Sequence, residues 1–305
     1  MTVQHGVASA AVIGLGTMGR GITKLLAAHG ISTRGFDSQL TDVARQSLVE
    51  AEGVQLSDSL DDALDGADIV FEAVSEDLVV KEPLLRAISA STTAVIATNT
   101  STFVPSVLAD FTTSPERFLA IHFFNPADVV PLVEIIPHPT TAQPVVERMT
   151  QLMRELSMRP VVLHKERQGF VANRLQAAIL RESLALVEEG VVTPEALDDV
   201  IKSRLVPRWA VAGVIGVADL GGLDIFTAVC TQLFPELNSA KTPVSLLTDL
   251  PAAGRLGAKS GSGFYKHTTT SSQSAAAKMA RLFAVLAHEE LRYDPDRASD
   301  AGVLP

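Results

Sequence analysis

Ala10-Ala11-Val12-Ile13-Gly14-Leu15-Gly16-Thr17-Met18-Gly19 decides the fold: an apolar run that reads as a buried strand, a glycine turn, and then Met18, Ile22, Leu25 and Leu26 at helical spacing. His29-Gly30 supplies a stop for that helix. Working outward, similar β-rich runs occupy 32–36, 69–74, 94–97, 118–124, 133–136 and 160–164, with helical segments between them. Strands alternating with helices imply βαβ units, hence an α/β fold with a mostly parallel, doubly wound sheet.

The texture changes after Gly169. Leu175, Ala178, Leu184 and Val187 mark a long amphipathic helix that ends at Glu188-Glu189-Gly190, and Thr193-Pro194-Glu195 opens the next one. We therefore expect a dinucleotide-binding, Rossmann-type domain over 1–167 and a mostly α-helical domain over 168–305. Within the latter, 268–274 reads as a Ser/Thr-rich linker before a terminal helix at 275–291.

Composition narrows the function. A chain of 305 residues, 47% of them apolar, can build substantial cores, while a net charge of −10 gives no general attraction for nucleic acid. One cysteine, Cys230, allows no intrachain disulfide and sits in no metal-ligand spacing, which fits a reducing cytoplasm and no metal. The most membrane-like stretch, 209–230, carries Asp219, Asp224 and four glycines, so no spanning helix and no membrane partner are expected.

The glycine turn has the context that a G-x-G-x-x-G pattern needs, a strand before and a helix after. Gly14 permits the tight turn, Gly16 lets a pyrophosphate approach the backbone, and Gly19 lets the helix pack closely. Thr17 and Met18 open the helix, whose free N–H groups favour an anion. Asp37, ending the second strand, is placed to accept hydrogen bonds from the adenosine ribose and to repel a 2′-phosphate; no arginine follows it, so NAD is expected over NADP. Without the glycine motif, Asp37 would read as a strand-end turn residue.

Asn99-Thr100-Ser101, His122-Phe123-Phe124-Asn125-Pro126 and Pro131-Leu132-Val133-Glu134 closely resemble motifs of the L-3-hydroxyacyl-CoA dehydrogenase family. So do Glu72-Ala73-Val74-Ser75-Glu76-Asp77 with Lys81, Gly169-Phe170-Val171-Ala172-Asn173-Arg174-Leu175, and Lys259-Ser260-Gly261-Ser262-Gly263-Phe264-Tyr265. By that resemblance His122 is the general acid/base, Glu134 its partner, and Ser101 and Asn173 contacts to the substrate oxygen. Glu76, Lys81 and Asn99 would line the cofactor cleft, Asn125 would face substrate, and the protein would be a homodimer acting on acyl thioesters, as in fatty acid metabolism. The residues themselves leave other readings open: a water-facing edge strand for Glu134, a helix cap for Ser101, a helix-face polar group for Asn173 and a solvated helix start for Glu76 and Lys81.

Two features depart from the family. Members that act on CoA thioesters commonly carry a lysine-rich insertion after the second strand, whereas 37–68 here is short, with Arg45 as its only basic residue among Asp42, Glu50, Glu52, Asp58, Asp61, Asp62 and Asp65. Gly213-Val214-Ile215-Gly216 stands where relatives read Gly-Pro-Phe-Glu. Three substrates stay open: a CoA thioester, which the resemblance favours, an acyl group on a carrier protein, and a free hydroxy acid. The last gains support because Arg208-Trp209-Ala210 also resembles gulonate and carnitine dehydrogenases, with Arg208 as a carboxylate fork or simply a surface arginine. A protein that binds NAD without turnover is the non-enzymatic alternative.

Overall fold

The computed structural model describes residues 6–41, 45, 48 and 55–286, in two compact units, Met1–Asn173 and Arg174–Pro305. In the first unit, strands β1 (Ser9–Ile13), β2 (Ser32–Phe36), β3 (Gln55–Leu56), β4 (Ile69–Glu72), β5 (Val95–Thr98), β6 (Phe118–Phe123), β7 (Leu132–Pro137) and β8 (Arg159–Val162) form one sheet ordered β3-β2-β1-β4-β5-β6-β7-β8. Every pairing is parallel except β6 with β7. Strand order reverses beside β1, so the crevice between the carboxyl ends of β1 and β4 is where an open α/β sheet receives a ligand.

Alternation along the strands explains why both faces are covered. Ala10 and Val12 join a core with Ile22 and Leu26 of α1 (Thr17–Ala28) and with Met149 and Leu152 of α5 (Gln143–Glu155). Ala11 and Ile13 face the other way, against Leu64 of α2 (Leu60–Leu64), Leu85 and Ile88 of α3 (Leu78–Ser91) and Leu108 of α4 (Pro105–Ala109). Successive side chains on a strand point to opposite faces, so a strand buried on both sides reads as an unbroken apolar run.

Departures from the expected strand ends have local causes. β4 stops at Glu72 rather than at 74 because the Glu72 carboxylate itself accepts the Val74 amide (2.9 Å). β3, two residues long, is too short to leave a periodic signal.

The second unit is helical: most of α6 (Ala172–Glu188), then α7 (Pro194–Val200), α8 (Val206–Gly221), α9 (Leu223–Leu233), α10 (Ser245–Ala252) and α11 (Thr269–Leu286). Thr193 caps α7 by accepting the Ala196 amide. The expected linker at 268–274 is instead the start of α11. Thr268 and Ser271 exchange hydrogen bonds, each hydroxyl accepting the other's amide (2.9 and 3.0 Å), so the Ser/Thr tract nucleates a helix rather than interrupting one. Among the described residues no single helix is long and apolar enough to cross a membrane. The stretch 209–230 is broken by Gly213 at φ 69° and again at Gly222, where the flanking helices bend by 98°.

Candidate active site

The glycine turn behaves as a cradle. Gly14 has φ +93°, and a Cβ there would lie 2.7 Å from the backbone of Ala73 and Val74; a Cβ on Gly19 would lie 1.8 Å from the Gly14 carbonyl oxygen. These two contacts lock the turn, the helix and the segment that follows β4 together. Gly16 differs: no atom stands within 4 Å of its would-be Cβ, so the space beside it is open to a ligand. No side chain caps α1 at Gly16 and its first turn carries no acid, so its N-terminal amides and the positive end of its dipole remain available to an anion. Asp37 accepts the Leu15 amide on Oδ2 and the Gln39 amide on Oδ1, both at 2.8 Å, which fixes its carboxylate beside the turn with lone pairs to spare. The residues present fit the diphosphate and ribose of a dinucleotide.

Further along the sheet, antiparallel register sets His122 directly opposite Glu134, which places their side chains on one face. His122 Nδ1 lies 2.9 Å from Glu134 Oε2, and both residues are buried, at 5% and 2% exposure. Phe124 and Phe170 pack on the imidazole at 4.5 and 5.3 Å between centroids. β7 lies between β6 and β8, so the alternative of a water-facing edge for Glu134 does not hold. Glu134 Oε1 accepts the amides of Val171 and Ala172 at 3.0 Å, the latter being the first residue of α6. Burial pushes the Glu134 carboxyl upward, but the His122 bond and the two amides outweigh it and hold the pKa below the ordinary value. An anionic partner on Nδ1 requires a proton there, which leaves Nε2 as the basic nitrogen of the neutral ring.

A second buried ionic group lies under the turn that carries Ser101. Lys81 on α3 is fully buried, 2.8 and 3.0 Å from the two oxygens of Glu72, itself at 0% exposure, and 3.5 Å from Glu76 Oε2. Thr98 Oγ1 donates to Glu72 at 2.6 Å, from the position that β4–β5 register puts opposite it. Lys81 is thus not a solvated helix start, because its ammonium is buried and paired with two carboxylates. Glu76 Oε1 accepts the hydroxyls of Thr100 and Thr102 and the amides of Ser101 and Thr102, at 2.6 to 2.9 Å. Burial raises the Glu76 pKa, but the Thr100 and Thr102 hydrogen bonds and the Lys81 charge overcome it and bring it down to about 2.

Asn99 follows β5 and its side-chain oxygen accepts the Phe123 amide at 2.9 Å, tying the Ser101 turn to the strand of His122. Ser101 is half-buried. Asn173, also half-buried, follows Ala172 at the Glu134-bound start of α6, and Asn125 is exposed just beyond β6. Arg208 is half-buried on α8 in the second unit, so it is not among the groups that the sheet assembles. Thr98 and Glu166, whose carboxylate accepts the Ser106 amide at 2.9 Å, escaped the sequence reading, and Glu72 entered it only as part of a family motif, with no role of its own. Glu72 carried a usable signal, an acid inside an apolar strand, the same cue that singled out Glu134.

Residues 39–167 match the family model for the 3-hydroxyacyl-CoA dehydrogenase NAD binding domain, and 169–267 match that for its C-terminal domain. Over 280 residues the chain is 31% identical to a 3-hydroxybutyryl-CoA dehydrogenase of Mycobacterium tuberculosis, covering 84% of this chain and 97% of that one. The chain belongs to the 3-hydroxyacyl-CoA dehydrogenase family. It is an NAD-dependent oxidoreductase of that family. Another relative within reach is 5-formyl-3-hydroxy-2-methylpyridine 4-carboxylate 5-dehydrogenase of Mesorhizobium japonicum, 31% identical over 291 residues and covering 89% of this chain and 94% of that one. The crystal structure of a dehydrogenase of that name, described as an NAD+ dependent dismutase, has a TM-score of 0.84 at 30% identity, covering 92% and 97% of the two chains. A family structure from Archaeoglobus fulgidus, a 3-hydroxyacyl-CoA dehydrogenase, has a TM-score of 0.69 at 30% identity, covering 92% and 99%.

Proposed function

We propose that this protein is a dehydrogenase in which His122 Nε2 takes the hydroxyl proton of a substrate alcohol or aldehyde hydrate and returns a proton in the reverse direction. The observation that carries the reading is the buried bond from His122 Nδ1 to Glu134. NAD, when bound, supplies the hydride acceptor on the same reacting carbon. Gly14, Gly16, Thr17, Met18, Gly19 and Asp37 hold it, and Asn99 stands between the Ser101 turn and β6. Glu134 keeps the ring in one tautomer and stabilises imidazolium as it forms, the service that the acid performs in a hydrolytic triad. Ser101 and Asn173 donate hydrogen bonds to the oxygen where charge develops. An idle NAD-binding protein has no need of a histidine and a carboxylate paired in this way.

The substrate we favour is a small carboxylate-bearing alcohol or aldehyde. At equal sequence identity, the likeness to the pyridine-carboxylate dehydrogenase is much greater than to the acyl-CoA enzyme, 0.84 against 0.69. The segment 37–68 supports this, since its one basic side chain, Arg45, is already paired with Asp58 at 2.9 Å and leaves no cation there for the phosphates of CoA. The second reading is a 3-hydroxyacyl-CoA substrate, supported by the family models and by the 3-hydroxybutyryl-CoA relative. No observation favours a carrier-protein substrate.

On this account 1–167 is the NAD-binding domain and 168–305 the substrate and dimerisation domain of a cytoplasmic homodimer. Among the described residues the second unit buries only three apolar side chains, Leu184, Ala185 and Val217, while Ile215 is 81% and Phe234 67% exposed, more apolar surface than a monomer ordinarily leaves in water.

The test is NADH formation and consumption with three compounds at equal concentration: 5-formyl-3-hydroxy-2-methylpyridine 4-carboxylate, acetoacetyl-CoA and a free 3-hydroxy acid. We expect the highest kcat/KM with the carboxylated aldehyde. Faster turnover of acetoacetyl-CoA would replace the free-acid reading with the thioester one, and no turnover of any of them by NAD-saturated protein would remove the dehydrogenase assignment.

A further inference from the structure

The Ser101 turn runs into α4 after only three residues, and α4 begins without a cap of its own: its N-cap is Val104, which has no side-chain acceptor to offer. The missing acceptor comes from sixty residues along the chain. Glu166, just after β8, accepts the Ser106 amide on Oε2 at 2.9 Å and the Ser106 hydroxyl on Oε1, and both residues are half-buried. A charged acceptor makes hydrogen bonds roughly twice as strong as a neutral one, so the pair is a firm tie between segments whose strands, β5 and β8, are not neighbours in the sheet.

Glu166 thereby connects the Ser101 turn to the stretch that holds the catalytic pair. Phe170 lies four residues on, 1% exposed, with its ring 5.3 Å from the imidazole of His122. Its φ of 50° is one that a residue with a bulky side chain adopts only under constraint, and such a conformation persists where its surroundings over-determine it. The constraint downstream is Glu134, whose Oε1 takes the amides of Val171 and Ala172. Upstream it is the Phe170 amide on the Arg167 carbonyl at 2.9 Å and, one residue earlier, the tie from Glu166. Held at both ends, the 166–172 stretch is a clip that touches His122, Glu134 and, through Ser106, the segment bearing Ser101.

We propose that Glu166 is a positioning residue: by joining the first turn of α4 to this clip, it sets the spacing between the Ser101 hydroxyl and the His122 imidazole. The inference rests on the roles given to Ser101 and His122 above and adds a residue that acts through them. Without the tie, Glu134 still keeps the clip on His122, so what is released is α4 and the Ser101 turn.

The test is a double-mutant cycle between Glu166→Ala and Ser101→Ala. It uses 5-formyl-3-hydroxy-2-methylpyridine 4-carboxylate, or acetoacetyl-CoA if only that is turned over, with NAD affinity from calorimetry and stability from urea unfolding. We expect each single variant to lower kcat by about 10- to 100-fold, because a misplacement of about 1 Å can cost that much. In the Ser101→Ala background Glu166→Ala should cost no more than about two-fold further, since residues acting through one another are not additive. Glu166→Gln, which keeps a carbonyl acceptor in the same place, should recover much of the loss. The Phe103 and Ser106 amides of Glu166→Ala should exchange hydrogen faster than in the parent, and the Kd for NAD should stay within about two-fold. Ser106→Ala, which removes only the hydroxyl partner, is the milder variant should Glu166→Ala not fold; its smaller loss should likewise vanish in the Ser101→Ala background.

A Glu166→Ala protein of lower stability but unchanged kcat would make Glu166 a helix cap and nothing more, and would overturn the proposal. Losses that add to those of Ser101→Ala, or an NAD affinity weakened about ten-fold or more, would overturn it as well. An unchanged kcat in Ser101→Ala would overturn the role of Ser101, and this inference with it. A costly Ser101→Ala beside an unchanged or additive Glu166→Ala would overturn the inference alone.

Discussion

His122→Ala lowers kcat by about 10²- to 10⁴-fold while the protein still binds NAD with its normal affinity. The size follows from what the imidazole does: a positioned base contributes to the proton step and to nothing in the glycine turn, which lies at the far end of β1 from the Ser9 edge and is built from its own contacts. The substitution also strips Glu134 of its Oε2 partner, but Oε1 keeps the Val171 and Ala172 amides, so a folded variant is expected. The experiment pairs steady-state kinetics with calorimetric NAD binding. Retained turnover would take His122 out of the mechanism; lost NAD binding would mean that the variant had disturbed the cradle rather than the chemistry.

Lys81→Met destabilises the first unit by about 3–5 kcal/mol, read from urea unfolding followed by circular dichroism. Methionine fills much of the lysine stem's volume, so the loss is not a cavity effect. It comes from leaving the fully buried Glu72 carboxylate with only Thr98 Oγ1 and the Val74 amide, and no cation. Pairing is what makes a buried charge tolerable, and removing one partner exposes the whole desolvation cost of the other. A Lys81→Met, Glu72→Gln double variant should recover part of the loss. A single substitution costing under about 1 kcal/mol would show that the pair contributes little to the fold.

Much of this was legible in the sequence because the relevant signals are local. A strand, a glycine turn and a helix at 10–26 specify the cradle. Glu134 announced itself through the cost of an acid in an apolar strand, and the histidine opposite it in the β6–β7 register answers that cost. Glu72 sat in the same kind of setting, yet its partner is nine residues on and on a helix, where no sequence period shows that Lys81 points inward to meet it. Glu76 is similar: four donors twenty-four to twenty-six residues away meet it only because β4 and β5 are neighbours in the sheet. The Ser/Thr tract at 268–274 misled for the opposite reason, since the residues that favour loops are the ones that cap helices, and only the reciprocal bonds of Thr268 and Ser271 show which role they take. The break at Gly213 in α8 has no periodic signature at all; a glycine at φ 69° is read from coordinates.

Everything in the mechanism requires the nicotinamide and the imidazole to face one reacting carbon. A crystal structure of the protein with NAD bound addresses that requirement directly. The account predicts the diphosphate on the amides of 16–19, the adenosine ribose on Asp37, and nicotinamide C4 in the same opening as His122 Nε2 with room for a single carbon between them. A nicotinamide ring lodged in a separate opening from His122, or a ring whose approach to Nε2 is walled off by protein, would contradict it.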